Sequence, residues 1–563
     1  MRYQPSRLLL AVPLALTLLI PTTAAQAERP EPASLTAVET VAAMQPGWNL
    51  GNTLDSMCCG EDETSWGNPM VTEELMEGIR DQGFNSIRIP VSWSYNTGPA
   101  PDYTIEPQVL DRVEEVVQMA LDEDMYVMIN IHHDSWQWLH EMPTDHDNVL
   151  ARFDSIWSQV ADRFKDYPPE LVFESINEPF FEGASGPEQE NELIAELNAS
   201  FHEIVRGSGG GNEDRLLVLP TLHTSSDQDH LDALAAEIEA LDDPMLAATT
   251  HNYSYWPFSV NIAGKTTYDE EVQGYLEGDF ARLHDTFVSK GIPMIIGEFG
   301  LLNGGFVAVE YGEAMKFFEH FGYLARTNDI TTMFWDNGQY FDRKEFDWQV
   351  EGLYDYLSES WTNRSGTAES DLLFVDPSEA GADQAITLNP NGLQFKSLYH
   401  GDRKLKPGRD YVVEGDTLTL KASLVDLLLG DGAPGTREQL SVRYSDGVPW
   451  TLNVIASDTP VLEDATGTTD AFAIPTEYNG DMVATLEATY EDGTGAGPHD
   501  WTVYKEYGVA YDPDYANGVF KLTPTFFDAV TDGAAVNLTV HFRSGKTVAY
   551  TVTKNGTAVT GTA

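Results

Sequence analysis

Leu171-Val172-Phe173-Glu174-Ser175-Ile176-Asn177-Glu178-Pro179 and Pro293-Met294-Ile295-Ile296-Gly297-Glu298-Phe299-Gly300 are two short apolar runs, each ending on a glutamate. Continuous apolar runs closed by Pro or Gly read as strands buried on both faces, so each reads as a strand with an acid at its end. Six similar runs lie around them, at residues 47–50, 86–91, 126–132, 216–220, 246–253 and 331–336. Amphipathic stretches separate them, among them residues 71–82, 107–124, 150–165, 191–206, 278–290 and 312–327. Eight strands alternating with helices over residues 41–361 predict an α/β domain, a (β/α)8 TIM barrel. A doubly wound open sheet is the alternative. It fits less well, because polar and aromatic residues end nearly every strand and not only those at one switch point.

In such a barrel, residues at the strand ends meet in one cleft at the C-terminal face. Two carboxylic acids there are what glycosidic cleavage needs: one protonates the leaving oxygen and the other attacks or activates water. Other strand ends carry groups suited to a sugar. Arg88 lies in an apolar run and needs a carboxylate partner to be tolerated there. His132 and His133 follow Tyr126-Val127-Met128-Ile129-Asn130-Ile131, Asn177 precedes Glu178, and His251 and Tyr253 alternate on one face of a strand. Trp335 offers a flat apolar platform. Taken singly, a strand-end histidine, tryptophan or arginine is more often structural; together at one barrel face they point to a site. His132-His133-Asp134 also invites a metal reading. Neighbouring strand residues face opposite ways, so no metal and no cofactor are expected. Trp48, Trp136 and Trp256 are candidates for further sugar subsites or for core packing.

After Trp361 the pattern changes. Residues 362–370 read as a polar linker, and residues 371–456 as a small β-sandwich of short alternating strands. Residues 456–471 read as a second linker and residues 472–563 as another β-rich module. Trp501 follows a loop with Gly, Pro and Asp, where it is either exposed for sugar stacking or buried in a sandwich.

Composition sets the class. The chain has 563 residues, 42% hydrophobic and 11% aromatic, enough for several cores. Residues 1–27 read as a secretory signal: Arg2 and Arg7, an apolar stretch over residues 8–20, then Ala25-Gln26-Ala27. A secreted, extracellular protein without a membrane span is expected, and a monomer. The only two cysteines, Cys58 and Cys59, are neighbours and are expected to be free thiols. Ninety acids against 32 bases give a net charge of −58, which repels phosphates and argues against nucleic acid and against acidic substrates. Such a surface suits high salt, where screening relieves self-repulsion.

The ordered motifs Gly47-Trp48-Asn49-Leu50-Gly51-Asn52, Ser86-Ile87-Arg88-Ile89-Pro90, Ile131-His132-His133-Asp134, Asn177-Glu178-Pro179, His251-Asn252-Tyr253, Gly297-Glu298-Phe299-Gly300 and Phe334-Trp335-Asp336 resemble glycoside hydrolase family 5 of the cellulase type over residues 41–361. The resemblance implies that Glu178 is general acid and then base, Glu298 the nucleophile, and the anomeric configuration retained. It implies that Asn177 bonds the sugar 2-hydroxyl, that Arg88 and Tyr253 hold Glu298 ionised and oriented, that His132 and His251 bind sugar or position the acids, and that Trp335 floors the cleavage subsite. Gly408-Arg409-Asp410-Tyr411-Val412-Val413 and Thr417-Leu418-Thr419-Leu420-Lys421 resemble an immunoglobulin-like spacer of bacterial cellulases. Trp501-Thr502-Val503-Tyr504-Lys505 and Thr539-Val540-His541-Phe542-Arg543-Ser544-Gly545 are similar to a family 46 carbohydrate-binding module. The implied activity is that of an endo-β-1,4-glucanase whose partner is a β-glucan: cellulose, mixed-linkage glucan or xyloglucan. Another retaining β-glycanase, a mannanase or xylanase, is the enzymatic alternative. A noncatalytic polysaccharide-binding protein is the alternative of a different class.

Overall fold

The computed structural model describes residues 35–57, 62–302, 308–379 and 381–563. The signal segment, Cys58 and Cys59 lie outside the described residues. The eight expected strands form one closed, all-parallel barrel: β1 (Gly47–Leu50), β2 (Ser86–Ile89), β3 (Tyr126–Asn130), β4 (Leu171–Glu174), β5 (Leu217–Pro220), β6 (Leu246–Asn252), β7 (Met294–Phe299) and β8 (Thr331–Asp336). All are buried apart from Tyr126 and Trp335, which are partly so, as a sheet covered by helices requires. Met128, Val172, Val218, Ala247, Ile295 and Met333 fill the barrel's lower end, and the helix Ala37–Ala43 plugs it. The opposite end is left to polar groups.

The helices predicted at 71–82, 107–124 and 312–327 occur as Glu73–Asp81, Pro107–Asp122 and Tyr311–Thr327. One at Gln228–Leu241 was not singled out; its run of alanines and acids gives a weak apolar stripe.

One irregularity in β7 matters for the site. On β6, Thr250 pairs with Ile296 and His251 with Glu298; on β8, Thr332 pairs with Ile296 and Phe334 with Phe299. Both neighbours therefore skip one residue, so β7 carries a bulge at Gly297-Glu298 that re-aims Glu298. The freed Gly297 carbonyl accepts from Asn49 Nδ2 at 2.9 Å.

Beyond the barrel, two pairs of sheets follow. The stretches expected as linkers are parts of these sheets. Thr367–Ala368 pairs with Gln384–Asn389, and Ser365, Thr367 and Asp371 are buried. Arg364 is clamped by Glu319 at 2.6 Å and lies over the Tyr323 ring. The apolar core of this module is continuous with that of the barrel. Likewise Val461–Leu462 and Ala465–Thr468 pair with strands of the last module, so its sheets begin before residue 472. Short polar strands of this kind carry too little apolar alternation to be separated from linker by sequence. The last module has its own core around Phe472, Tyr511, Phe520 and Phe526. It also grips the barrel: Asn261 Nδ2 donates to the Ala484 carbonyl at 2.9 Å and Arg543 to the Thr266 carbonyl at 2.6 Å. Tyr504 lies against Gly264, where a Cβ would meet its ring at 2.7 Å. Among the described residues no helix is long and apolar enough to cross a membrane.

Candidate active site

Arg88 on β2 is fully buried and organises the upper end of the barrel. Its Nη1 donates to Glu298 Oε1 at 2.7 Å and to Asn49 Oδ1 at 3.0 Å, its Nη2 to Asn177 Oδ1 at 2.8 Å, and its Nε to Glu174 Oε2 at 2.8 Å. Burial pulls the guanidinium down, but the Glu174 and Glu298 charges and hydrogen bonds outweigh it and hold the proton more tightly than usual. The expected partner, Glu298, is present. The second, Glu174, was not foreseen. The signal was available: an acid inside Leu171-Val172-Phe173-Glu174 must be paired as much as an arginine inside a strand.

Tyr253 donates its hydroxyl to Glu298 Oε2 at 2.6 Å. Burial, reinforced by the Glu298 and Glu178 charges, pushes its phenol far up, so it stays a donor. Tyr253 lies one residue past β6, not within a strand as expected. Glu298 is thus fixed by one donor on each oxygen and is 4% exposed.

Glu178 stands four residues past the end of β4, not at a strand end. Its φ of 40° is on the left-handed side, a backbone strain that surrounding structure must hold. The side chain is half-exposed toward the cleft. His251 Nδ1 meets Glu178 Oε1 at 2.8 Å and lies 3.6 Å from Glu298 Oε2. Desolvation pulls the His251 imidazole down, but the Glu298 charge and the Glu178 hydrogen bond and charge prevail, so it keeps its proton above the ordinary histidine range. For Glu178, desolvation acts upward and is outweighed by the His251 bond and the nearby positive charges; its carboxyl lies below the usual range. One oxygen of Glu178, one of Glu298 and a nitrogen of His251 all lie within 4.8 Å of one another. Residues far apart in the chain therefore face each other across the space of a single linkage.

His132 and His133 both lie past β3, just before the short helix Asp134–Gln137, so the strand-alternation argument does not apply to them. Their rings meet edge-on at 4.5 Å. Asn130 Oδ1 receives the Val91 N–H, so its amide nitrogen donates to His132 Nδ1 at 3.2 Å and the proton of the neutral ring sits on Nε2. Burial first, then the His133, Arg88 and His251 charges, keep His132 neutral. His132 stacks on Trp335 at 6.0 Å and 9°. Gly51 makes room for that tryptophan: a Cβ there would lie 2.8 Å from its ring.

Asp55, His132 and His133 also place three ligand atoms within 4.8 Å. They are already satisfied by protein. His133 Nδ1 accepts from the Trp136 indole at 3.1 Å and its Nε2 faces Asp55 Oδ2 at 3.1 Å, while Asp55 receives the Thr53 and Asn52 amides.

The tryptophans divide. Trp48 is buried, with Arg343 over its ring at 5.0 Å, and Trp138 is buried as well. Trp66, Trp136 and Trp256 are exposed, the first two flanking His133 at 5.2 and 5.4 Å. Trp501 is 59% exposed and lies 6.1 Å from Trp256, which opens the short helix just after Tyr253. The last module therefore brings its exposed tryptophan to the barrel face that carries the two glutamates.

A parallel barrel with two carboxylates close together at its open end is the arrangement that suits a glycoside hydrolase. Sequence comparison gives the family: residues 52–341 match the cellulase family, glycosyl hydrolase family 5, and the chain belongs to it. Residues 368–454 match carbohydrate binding domain X2, and residues 458–562 match a second carbohydrate binding domain, of family 46. Endoglucanase B of Paenibacillus lautus is 46% identical over 561 residues, covering 98% of each chain. The solved full-length tri-modular endo-β-1,4-glucanase B of Bacillus halodurans is 46% identical, with a TM-score of 0.91 over 94% of this chain and 99% of its own. A tri-modular subfamily 4 endo-β-1,4-glucanase of Bacillus licheniformis, solved with cellotetraose, is 31% identical, with a TM-score of 0.78 over 92% and 99%.

Proposed function

We propose that the chain is a secreted, retaining endo-β-1,4-glucanase that acts without a catalytic metal, with Glu178 as acid/base and Glu298 as nucleophile. The observation that carries this is the approach of a Glu178 oxygen to a Glu298 oxygen within 4.8 Å, around His251. That closeness suits a covalent glycosyl-enzyme; inversion needs carboxyl groups roughly 6.5–9.5 Å apart, with room for water between them. Glu298 attacks the anomeric carbon as the bond to the leaving oxygen breaks, and the Glu178 proton goes to that oxygen. Water then attacks the glycosyl ester, its proton returns to Glu178 and Glu298 is released. In the free protein, Glu178 and His251 share a proton that rests on the imidazole. A sugar entering the cleft excludes water from Glu178, favours its neutral form and draws the proton across the 2.8 Å bond. Asn177, held by Arg88, faces the 2-hydroxyl, and Trp335 floors the ring.

A neutral polymer suits a chain of net charge −58, which repels acidic ones. The exposed Trp66 and Trp136 on one side, and Trp256 with Trp501 on the other, support a chain-length cleft for cellulose, mixed-linkage glucan or xyloglucan. The test is NMR of the anomer first released from a soluble cello-oligosaccharide, with viscometry on soluble glucan, mannan and xylan. β-Anomer first and a fast fall in glucan viscosity are expected. α-Anomer first overturns retention, and preference for mannan or xylan overturns the substrate. Unchanged turnover in folded Glu178→Gln and Glu298→Gln overturns the whole assignment.

A further inference from the structure

Behind the two catalytic glutamates lies a small polar chamber in which three buried side-chain atoms meet no protein partner: Glu174 Oε1, Thr249 Oγ1 and His251 Nε2. Glu174 and Thr249 are fully buried, and His251 is nearly so. The three atoms surround one spot. A Cβ on Gly297 would lie 2.9 Å from Thr249 Oγ1, 3.4 Å from His251 Nε2 and 3.5 Å from Glu174 Oε1. The three atoms thus converge beside Gly297, where any side chain would crowd them and glycine does not. Unpaired polar atoms this deep cost free energy, and a chamber with three such atoms suits one bound water.

The remaining bonds fix what each atom offers. Glu174 Oε2 is used by Arg88 Nε at 2.8 Å and Asn130 Nδ2 at 2.7 Å, so Oε1 is left as a pure acceptor turned to the chamber. His251 uses Nδ1 on Glu178, so only Nε2 faces the chamber. We propose that Glu174 is a positioning residue of the reaction: its free oxygen holds a buried water shared with Thr249 Oγ1 and His251 Nε2, and so keeps the imidazole protonated on both nitrogens toward Glu178. The water accepts from Nε2–H and donates to Glu174 and Thr249. Glu174 thereby supports the proton that Glu178 delivers, without touching the sugar. The other charged and titratable groups around His251 are Glu178, Glu298, Arg88, Tyr253 and neutral His132. Arg88 opposes the imidazolium and the carboxylates favour it, so Glu174 adds a third acid on the ring's far side.

The inference rests on the reading of Glu178 as acid/base, and that reading is tested separately by Glu178→Gln. The experiment is the pH profile of kcat/KM on an aryl cellobioside for the full chain, Glu174→Gln and Thr249→Val, with melting curves as a check of folding. Loss of the shared proton sets the alkaline limb. A negative charge nearby raises that limb, so Glu174→Gln should move it down by about one pH unit, given partial neutralisation of Glu174 by Arg88. Thr249→Val removes one contact to the water and should move it in the same direction by less. A uniform loss of rate with unshifted limbs in both variants overturns the proposal and leaves Glu174 as a support for Arg88 alone. Should Glu174→Gln not fold, Thr249→Val decides: a downward shift supports the chamber and an unshifted limb overturns it. If Glu178→Gln keeps full turnover, the acid/base reading falls first, whatever the limbs do.

Discussion

Removing a single hydroxyl, in Tyr253→Phe, probes Glu298, the proposed nucleophile, with little disturbance of the barrel. The lost bond is a 2.6 Å contact to a carboxylate that is 4% exposed. Hydrogen bonds to charged groups contribute about 1.5–3 kcal/mol. At about 1.4 kcal/mol per decade, a bond lost wholly from the transition state is worth roughly ten- to hundredfold in rate. Two features place the loss in the lower half of that range. Arg88 still holds the other oxygen at 2.7 Å, and His251 Nδ1, at 3.6 Å from the orphaned one, can move in. The expected result is about a ten- to thirtyfold fall in kcat/KM on aryl cellobiosides, by the same estimate. Leaving groups separate this effect from acid catalysis. A good leaving group needs no proton, so it spares Glu178→Gln; it does not spare Tyr253→Phe, because attack by Glu298 is common to all substrates. A folded Tyr253→Phe within about threefold of the parent on every leaving group, well under one decade, would refute the idea that Glu298 is the attacking group held by Tyr253.

Two further outcomes are expected. Trp501→Ala, which removes one ring of the exposed Trp256–Trp501 pair, should weaken polymer hydrolysis more than hydrolysis of a small aryl cellobioside; equal losses on both would point to misfolding instead. Asp371, where the second module meets the helix Tyr311–Thr327, has its carboxyl pushed up to about 8 by burial first and by Glu310 second. The unfolded chain releases that proton near the ordinary 3.8, the folded one near 8, so the folded state binds more protons between those values and loses stability as pH rises through them. Asp371→Asn should flatten this slope and melt above the parent at pH 9. Parallel melting curves for the two proteins from pH 4.5 to 9 would sink that account.

The barrel was legible because its signals are local. Each strand is a short apolar run closed by Pro, Gly or a polar pair, and each amphipathic stretch between them has its own period. The two glutamates and their neighbours were legible for the same reason: they sit beside those runs. Other features escaped because they depend on what meets across space. Thr367–Ala368 and Ala465–Thr468 look like linker until their partner strands are in place. His132 and His133 were assigned to opposite faces of a strand that ends two residues earlier, and their rings touch.

By itself the sequence determined the order of elements, the residue types near the strand ends and the places of the two glutamates along the chain, since periodicity and residue type are written along it. Only the tertiary structure decided that Arg88 is shared between Glu174 and Glu298, that a bulge at Gly297 aims Glu298, and that Trp501 joins Trp256. Each of these is a pairing of distant residues. It is selected by the cost of leaving a charge, a carbonyl or a module's face unpaired in the closed fold, and that cost does not exist until the chain has folded.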